Sequence, residues 1–308
     1  MSFLTAFAFL SLLWTNQITA SNNTDGTSSI RKHFKRGSTT PQVPPEGYYD
    51  PLSNGGNMVT QVFNTYPAGL GEPLNIIISG KSDAAVLVDQ AADGGLQNYF
   101  QSFGFGGECL GQHMGASQQA NLGDGNGYLN ETTEMRWDYG DPQFGTCKES
   151  IQGGDHFRYW TQNGPKANSG AIFMASSYEL PLSLQHDIIP NGYNLGRDWL
   201  IGNMTQTAIP TLNLTTSSTF SGSTTANDYT YRNSVQYVSG LLQNTSTGIN
   251  HYASVGVDGG YAIDGLVAVV EVNIIGRPSS KSAAIPLTGL SIFGTSVLTM
   301  VLLFSLLS

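Results

Sequence analysis

Arginine is scarce in this sequence, and where it occurs it keeps aromatic company. Between residues 37 and 275 there are four arginines: Arg136, Arg158, Arg197 and Arg232. Three of them lie within two residues of a tryptophan, in Arg136-Trp137, Arg158-Tyr159-Trp160 and Arg197-Asp198-Trp199. Two segments also carry a histidine beside an aspartate, Asp155-His156 and His186-Asp187. A guanidinium grips an oxyanion through a planar fork of N–H donors. A histidine oriented by a neighbouring carboxylate can move a proton near neutral pH. His156, Arg158, His186, Arg197 and Asp198 are therefore the candidate catalytic set, suited to acid–base work on an anionic or glycan substrate. The same residue types also build structural networks, in which arginine pairs with aspartate and stacks on rings. A solvent-reachable cleft separates the first reading from the second.

Other chemistries find no support. The sequence has no Gly-x-Ser-x-Gly elbow, phosphate loop, His-Glu-x-x-His pair or dinucleotide fingerprint. Many acids qualify for a glycosidase pair and none stands out. Zinc would need more Cys or His at short spacing. Asp124-Gly125-Asn126-Gly127 reads as a turn rather than a calcium loop, because Tyr128 takes the fifth position. No metal and no cofactor is expected.

The elements that must position these side chains follow from periodicity. Leu74–Ser79 is a short β-branched run between Pro73 and Gly80, and reads as a buried strand. Ser82 or Asp83 is placed to cap a helix through about Gln90, interrupted at Gly94-Gly95 and resuming to Phe103. Glu134–Tyr139 alternates, with Glu134, Arg136 and Asp138 on one face. His156–Trp160 alternates too, with His156, Arg158 and Trp160 on one face and Phe157 and Tyr159 on the other. Gly170–Tyr178 and Ile263–Ile275 read as further strands, and Asn194–Met204 as a short helix. Residues 205–226 contain 12 Ser or Thr in 22 positions, which suggests an exposed loop. The sum is an α+β fold, a mixed, mostly antiparallel sheet with few helices in a single domain over residues 58–275.

The flanks speak of export. Residues 1–20 read as a signal peptide, an apolar run ending Ile18-Thr19-Ala20. Residues 21–36 carry Arg31, Lys32, Lys35 and Arg36 and form either a pro-region cleaved after Lys35-Arg36 or a basic arm that stays attached. Residues 37–57, rich in Pro, Gly and Tyr, read as an extended linker. Residues 285–308 contain no charge, nothing basic follows them, and small residues precede them in 276–284. That is the pattern of a glycosylphosphatidylinositol (GPI) attachment signal, with Ser282 the first choice for attachment and Ser280 the second. A plain C-terminal transmembrane helix is the alternative.

In an exported chain, Cys109 and Cys147 form a disulfide by default, and two cysteines allow one pairing. Sequons stand at Asn22, Asn130, Asn203, Asn213 and Asn244 and call for surface positions. The net charge is −9, and the first 36 residues are basic, so the rest is more acidic still. Such a chain is a poor partner for nucleic acid or an anionic membrane surface.

Several stretches carry a resemblance. Gly71–Gly80, Cys109–His113, Asn121–Gly127, Gly154–Trp160 and His186–Trp199 resemble a group of secreted proteins of basidiomycete fungi that have no assigned activity. In the same order, Pro-Leu-Asn followed by Gly, His-x-Arg-x-Trp, and His followed by Arg-Asp about ten residues later look like the bacterial LssY C-terminal domain. The resemblance implies that His156, Arg158, His186, Arg197 and Asp198 gather in one cluster. It implies no reaction. Two functions stay open: an extracellular surface or cell-wall glycoprotein binding a glycan or protein, held to the membrane by a lipid anchor or C-terminal helix, and an extracellular hydrolase.

Overall fold

A computed structural model describes residues 40–113, 116–256 and 259–279. The signal-peptide, pro-region, Asn22 and anchor assignments, with Ser280 and Ser282, lie outside these residues. Among them the strands are β1 (Ile76–Ile78), β2 (Phe105–Gly107), β3 (Gln119–Ala120), β4 (Leu129–Asn130), β5 (Glu134–Trp137), β6 (Asp155–Asn163), β7 (Asn168–Tyr178), β8 (Thr219–Ala226), β9 (Tyr229–Val238) and β10 (Val267–Gly276). The α-helices are α1 (Leu96–Ser102), α2 (Gly145–Gln152), α3 (Gly192–Thr205) and α4 (Tyr252–Val255). No described helix is long and apolar enough to cross a membrane.

Eight strands form one sheet in the order β2-β5-β6-β7-β1-β10-β9-β8. β1 pairs parallel with β10 and the other described pairs of this sheet are antiparallel. The α+β expectation holds. β1 lies near the centre with both faces covered, which explains its unbroken Ile-Ile-Ile run. Ile76 and Ile78 join Phe157, Tyr159, Met174 and Val270 in the core beneath α1 and α3. Ile77 joins Trp160, Phe173 and Ala175 in a second core on the opposite face.

Three local expectations fail for physical reasons. The helix over Ser82–Gln90 does not form; turns stand in its place. Its would-be capping groups serve the sheet instead: Ser82 Oγ accepts from the Val272 N–H and Asp83 Oδ2 from the Ile274 N–H. The Ser/Thr-rich stretch is a loop only in part, since residues 219–226 are the edge strand β8. It turns into β9 through Asn227 and Asp228, both at positive φ, as a two-residue hairpin demands. Its threonines are β-branched and suit a strand with one wet face. The 37–57 stretch, described from residue 40, is no free linker. Tyr48 packs edge-on against Phe173, and Gln162 bonds both the N–H and the carbonyl of Tyr49.

Candidate functional site

β5, β6 and β7 lie side by side, and their register decides which polar residues meet. Glu134 pairs with Arg158 and Arg136 with His156; across the next ladder Arg158 opposes Ala175 and His156 opposes Ser177. Directly opposed residues share a face. One end of the sheet face that carries the Phe173 core therefore presents Glu134, Arg136, His156, Arg158 and Ser177. α2 adds Glu149, the chain beyond β7 adds Glu179 and His186, and Glu72 and Glu131 close the other side.

The guanidiniums sit among the acids. Arg136 pairs with Glu134, lies 2.7 Å from Glu149 Oε2 and 3.7 Å from Glu179 Oε2. Arg158 lies 2.8 Å from Glu134, 3.5 Å from Glu72 and 3.9 Å from Glu131. His156 Nε2 lies 3.2 Å from Arg158, 3.3 Å from Ser177 Oγ and 3.6 Å from Glu179 Oε1. Arginine can only donate, so Nε2 accepts and the ring proton rests on Nδ1. His186 Nδ1 is 3.2 Å from Glu179 Oε2. His113 borders the cluster through Glu108 at 2.9 Å and Glu131 at 3.9 Å. His156 and Glu149 are fully buried, whereas the His186 and Glu179 side chains are 21% and 13% exposed and form the wet edge.

Five glutamates face two arginines here, and the imbalance shows in their proton affinities. Burial pushes the Glu179 carboxyl up to about 8, against the pull of Arg136 and with the push of Glu149 and Glu134. Burial likewise raises Glu149 to about 7, opposed by Arg136. Glu131 is raised, again chiefly by burial. Burial and then Arg158 and Arg136 hold His156 well below the usual imidazole range, so it is neutral. His186 is lowered by burial and Arg136.

A pH dependence of stability follows. Below the unfolded value of about 4.5, Glu149 and Glu179 are protonated in both states and their contribution is fully present. As pH rises towards 7 and 8 the unfolded chain releases those protons first, so that contribution is lost. His156 acts oppositely, withdrawing stability as pH falls below about 6.5. Above 6.5 only the carboxyls act. The unfolding free energy should therefore fall between pH 6.5 and 8, by at most about 1.4 kcal/mol per pH unit for each carboxyl, and the Tm should fall with it. Glu149→Gln and Glu179→Gln should flatten the fall. A Tm constant or rising over that window would count against the assignment.

Arg197 and Asp198 do not join this cluster, contrary to what the resemblance implied. α3 packs on the opposite sheet face, with Leu200, Ile201 and Met204 in the core that holds Phe157 and Tyr159. There Arg197 Nε and a terminal nitrogen bond Asp198 at 2.7 and 3.0 Å; the terminal nitrogens also bond Asp264 at 2.8 Å twice and the Leu266 carbonyl at 2.8 Å. Tyr237 donates to Asp198 at 2.7 Å. All five guanidinium N–H groups are used, so this is a closed structural network. The first cluster is the reverse. Glu149 Oε1, Glu131 Oε1 and Oε2, Glu72 Oε2, His156 Nδ1 and Arg158 Nε are buried without a hydrogen-bond partner. Sequence reading missed Glu149 and Glu179 because an isolated glutamate carries no signal of its surroundings.

A second feature opens beside α3. A groove of about 570 Å³ is lined by Tyr178, Ile189, Trp199, Asn203, Gln206 and Ile209, among others. Elsewhere, Cys109 and Cys147 are joined, with Cα atoms 4.5 Å apart. Asn130, Asn213 and Asn244 are exposed. Asn203 sits inside α3 with its Nδ2 buried, which leaves no room for a glycan there. Asp124 caps its own turn, accepting from the Asn126 N–H at 2.9 Å.

The fold and site define an α+β domain with a mixed sheet, a carboxylate-rich polar cluster on one face and an aromatic groove beside the other. No family model, no curated protein and no solved structure matches the chain.

Proposed function

We propose that this chain is a secreted surface glycoprotein, tethered to the outer leaflet or cell wall by a GPI anchor at Ser282, whose domain binds a glycan. The observation that carries the binding reading is the groove beside α3. It combines the rings of Trp199 and Tyr178 with the exposed amide of Gln206. Aromatic faces cover the C–H surface of a sugar, and amides bond its hydroxyls in both directions. The disulfide and the exposed sequons at Asn130, Asn213 and Asn244 fit the secretory route.

One preparation tests both halves. Phosphatidylinositol-specific phospholipase C should release the protein from intact cells, and the released protein should bind a subset of a glycan array. Gln206→Ala, at an exposed position, should weaken that binding at least tenfold without shifting the Tm. Retention on the cell with the tail peptide still attached would mean a spanning helix. Released protein that ignores every glycan would end the binding claim.

A second reading, an extracellular hydrolase, is favoured by His186 and Glu179 at the wet edge of the cluster, with buried His156 behind them. A screen of glycoside and ester substrates with His186→Ala as the control addresses it.

A further inference from the structure

The cluster on the β5–β7 face brings three potential ligand side chains together. His156 Nε2, whose contacts to Arg158 and Ser177 are long at 3.2 and 3.3 Å, lies 3.6 Å from Glu179 Oε1. At 3.6 Å the two atoms are too far apart for a hydrogen bond. Glu149 adds a third acceptor. One ligand atom from each of Glu149, His156 and Glu179 lies within 4.8 Å of the others. Glu149 is fully buried, and its Oε1 has no hydrogen-bond partner.

From this arrangement we infer that Glu149, His156 and Glu179 bind one divalent transition-metal cation, with His186 placed to add a second imidazole. The donors come from three rigid places: the helix α2, the strand β6 and the first residue past β7. His186 Nδ1, 3.2 Å from Glu179 Oε2, carries no hydrogen bond of its own. Metal–ligand bonds of about 2.0–2.2 Å set tetrahedral donors roughly 3.3–3.6 Å apart. The His156–Glu179 separation already lies close to that, and the wider span closes by small side-chain rotations. Arg136 does not compete for Glu149 Oε1, and the ion would take the place of Arg158 at His156 Nε2. Arg136 holds Glu149 by Oε2 at 2.7 Å, which leaves Oε1 to the ion, and it fixes the carboxylate's orientation from behind.

Charge and donor type select the ion. Glu149 and Glu179 would bind the ion as carboxylates, so a dication takes the place of the protons they otherwise hold. Imidazole nitrogen mixed with carboxylate oxygen suits Zn²⁺ or Mn²⁺ better than Ca²⁺ or Mg²⁺, which take oxygen almost throughout. The partly exposed edge at His186 and Glu179 supplies the entry path. Glycan binding in the groove beside α3 is a separate matter, on the other face of the sheet.

The test uses the full chain, secreted by a eukaryotic host and extracted with its anchor. After chelation and dialysis, titration with ZnCl₂ or MnCl₂ by calorimetry should show one equivalent bound per chain and a raised Tm. Glu149→Gln and Glu179→Gln should each weaken binding at least tenfold, while Ca²⁺ and Mg²⁺ at the same concentrations leave the Tm unchanged. Should either variant fail to be secreted, His186→Ala, at the wet edge, should weaken binding severalfold. The proposal falls if neither metal binds stoichiometrically. It falls equally if metal binds but these variants keep full affinity, because the ion then sits at a surface histidine such as His113 or His251.

Discussion

Replacing Arg197 with alanine is expected to cost about 3–5 kcal/mol, the range for removing one partner of a buried ionic network. That is a large part of the roughly 5–15 kcal/mol that holds a domain together. Arg197 is fully buried and all of its N–H groups are engaged by Asp198, Asp264 and the Leu266 carbonyl. Its loss strands Asp198, itself buried, with Tyr237 as its remaining donor. Lysine cannot restore the fork, so Arg197→Lys should recover little. Removing the stranded charge as well, in Arg197→Met with Asp198→Asn, should recover part of the loss. Urea unfolding of the secreted domain measures this directly. A cost below about 1 kcal/mol for Arg197→Ala would show that the network is not the structural element described.

Opening the Cys109–Cys147 bridge should be nearly as damaging. The chain-entropy relation, applied to a sequence separation of 38, gives on the order of 3–4 kcal/mol. The closed loop includes β5 and its Glu134 and Arg136, and Cys147 lies in α2 two residues before Glu149. Reduction therefore frees both the second strand of the sheet and the helix that carries a glutamate into the polar cluster. A Cys109→Ser/Cys147→Ser variant should unfold at a clearly lower urea midpoint than the parent, and the parent with reductant should match it. Two free thiols in the native parent, detected by peptide mapping, would rule the bridge out.

The two buried arginine clusters are opposite kinds of polar interior. Around Arg197 every donor is satisfied, and the network reads as structure. Around Arg158 and Glu149 many atoms are left over, and acids outnumber bases. Buried polar atoms without partners are expensive, so a concentration of them on one sheet face points to a ligand. Residue type alone could not separate the two sets, since both pair arginine with acid beside a tryptophan.

Periodicity in the sequence was enough to determine several elements and one face. The Ile-Ile-Ile run marked β1, and the two-residue alternation of His156–Trp160 put His156 and Arg158 on the same side of β6. The apolar repeat of α3 and the single possible cysteine pairing were legible in the same way. These are local facts: a side chain's face follows from backbone geometry within a few residues, whatever the rest of the chain does. The partners of those faces are not local. Only the register of β5 against β6 brought Glu134 to Arg158, and only the packing of α2 and the turn after β7 brought Glu149 and Glu179 to His156. The same competition removed the helix after Ser82, because its capping groups gain more by bonding the backbone of β10, 190 residues away. It also set Arg197 on the far side of the sheet from Arg158. Distance along the chain carries no energy of its own, and the contacts that decide the site are made between segments whose meeting depends on every strand between them.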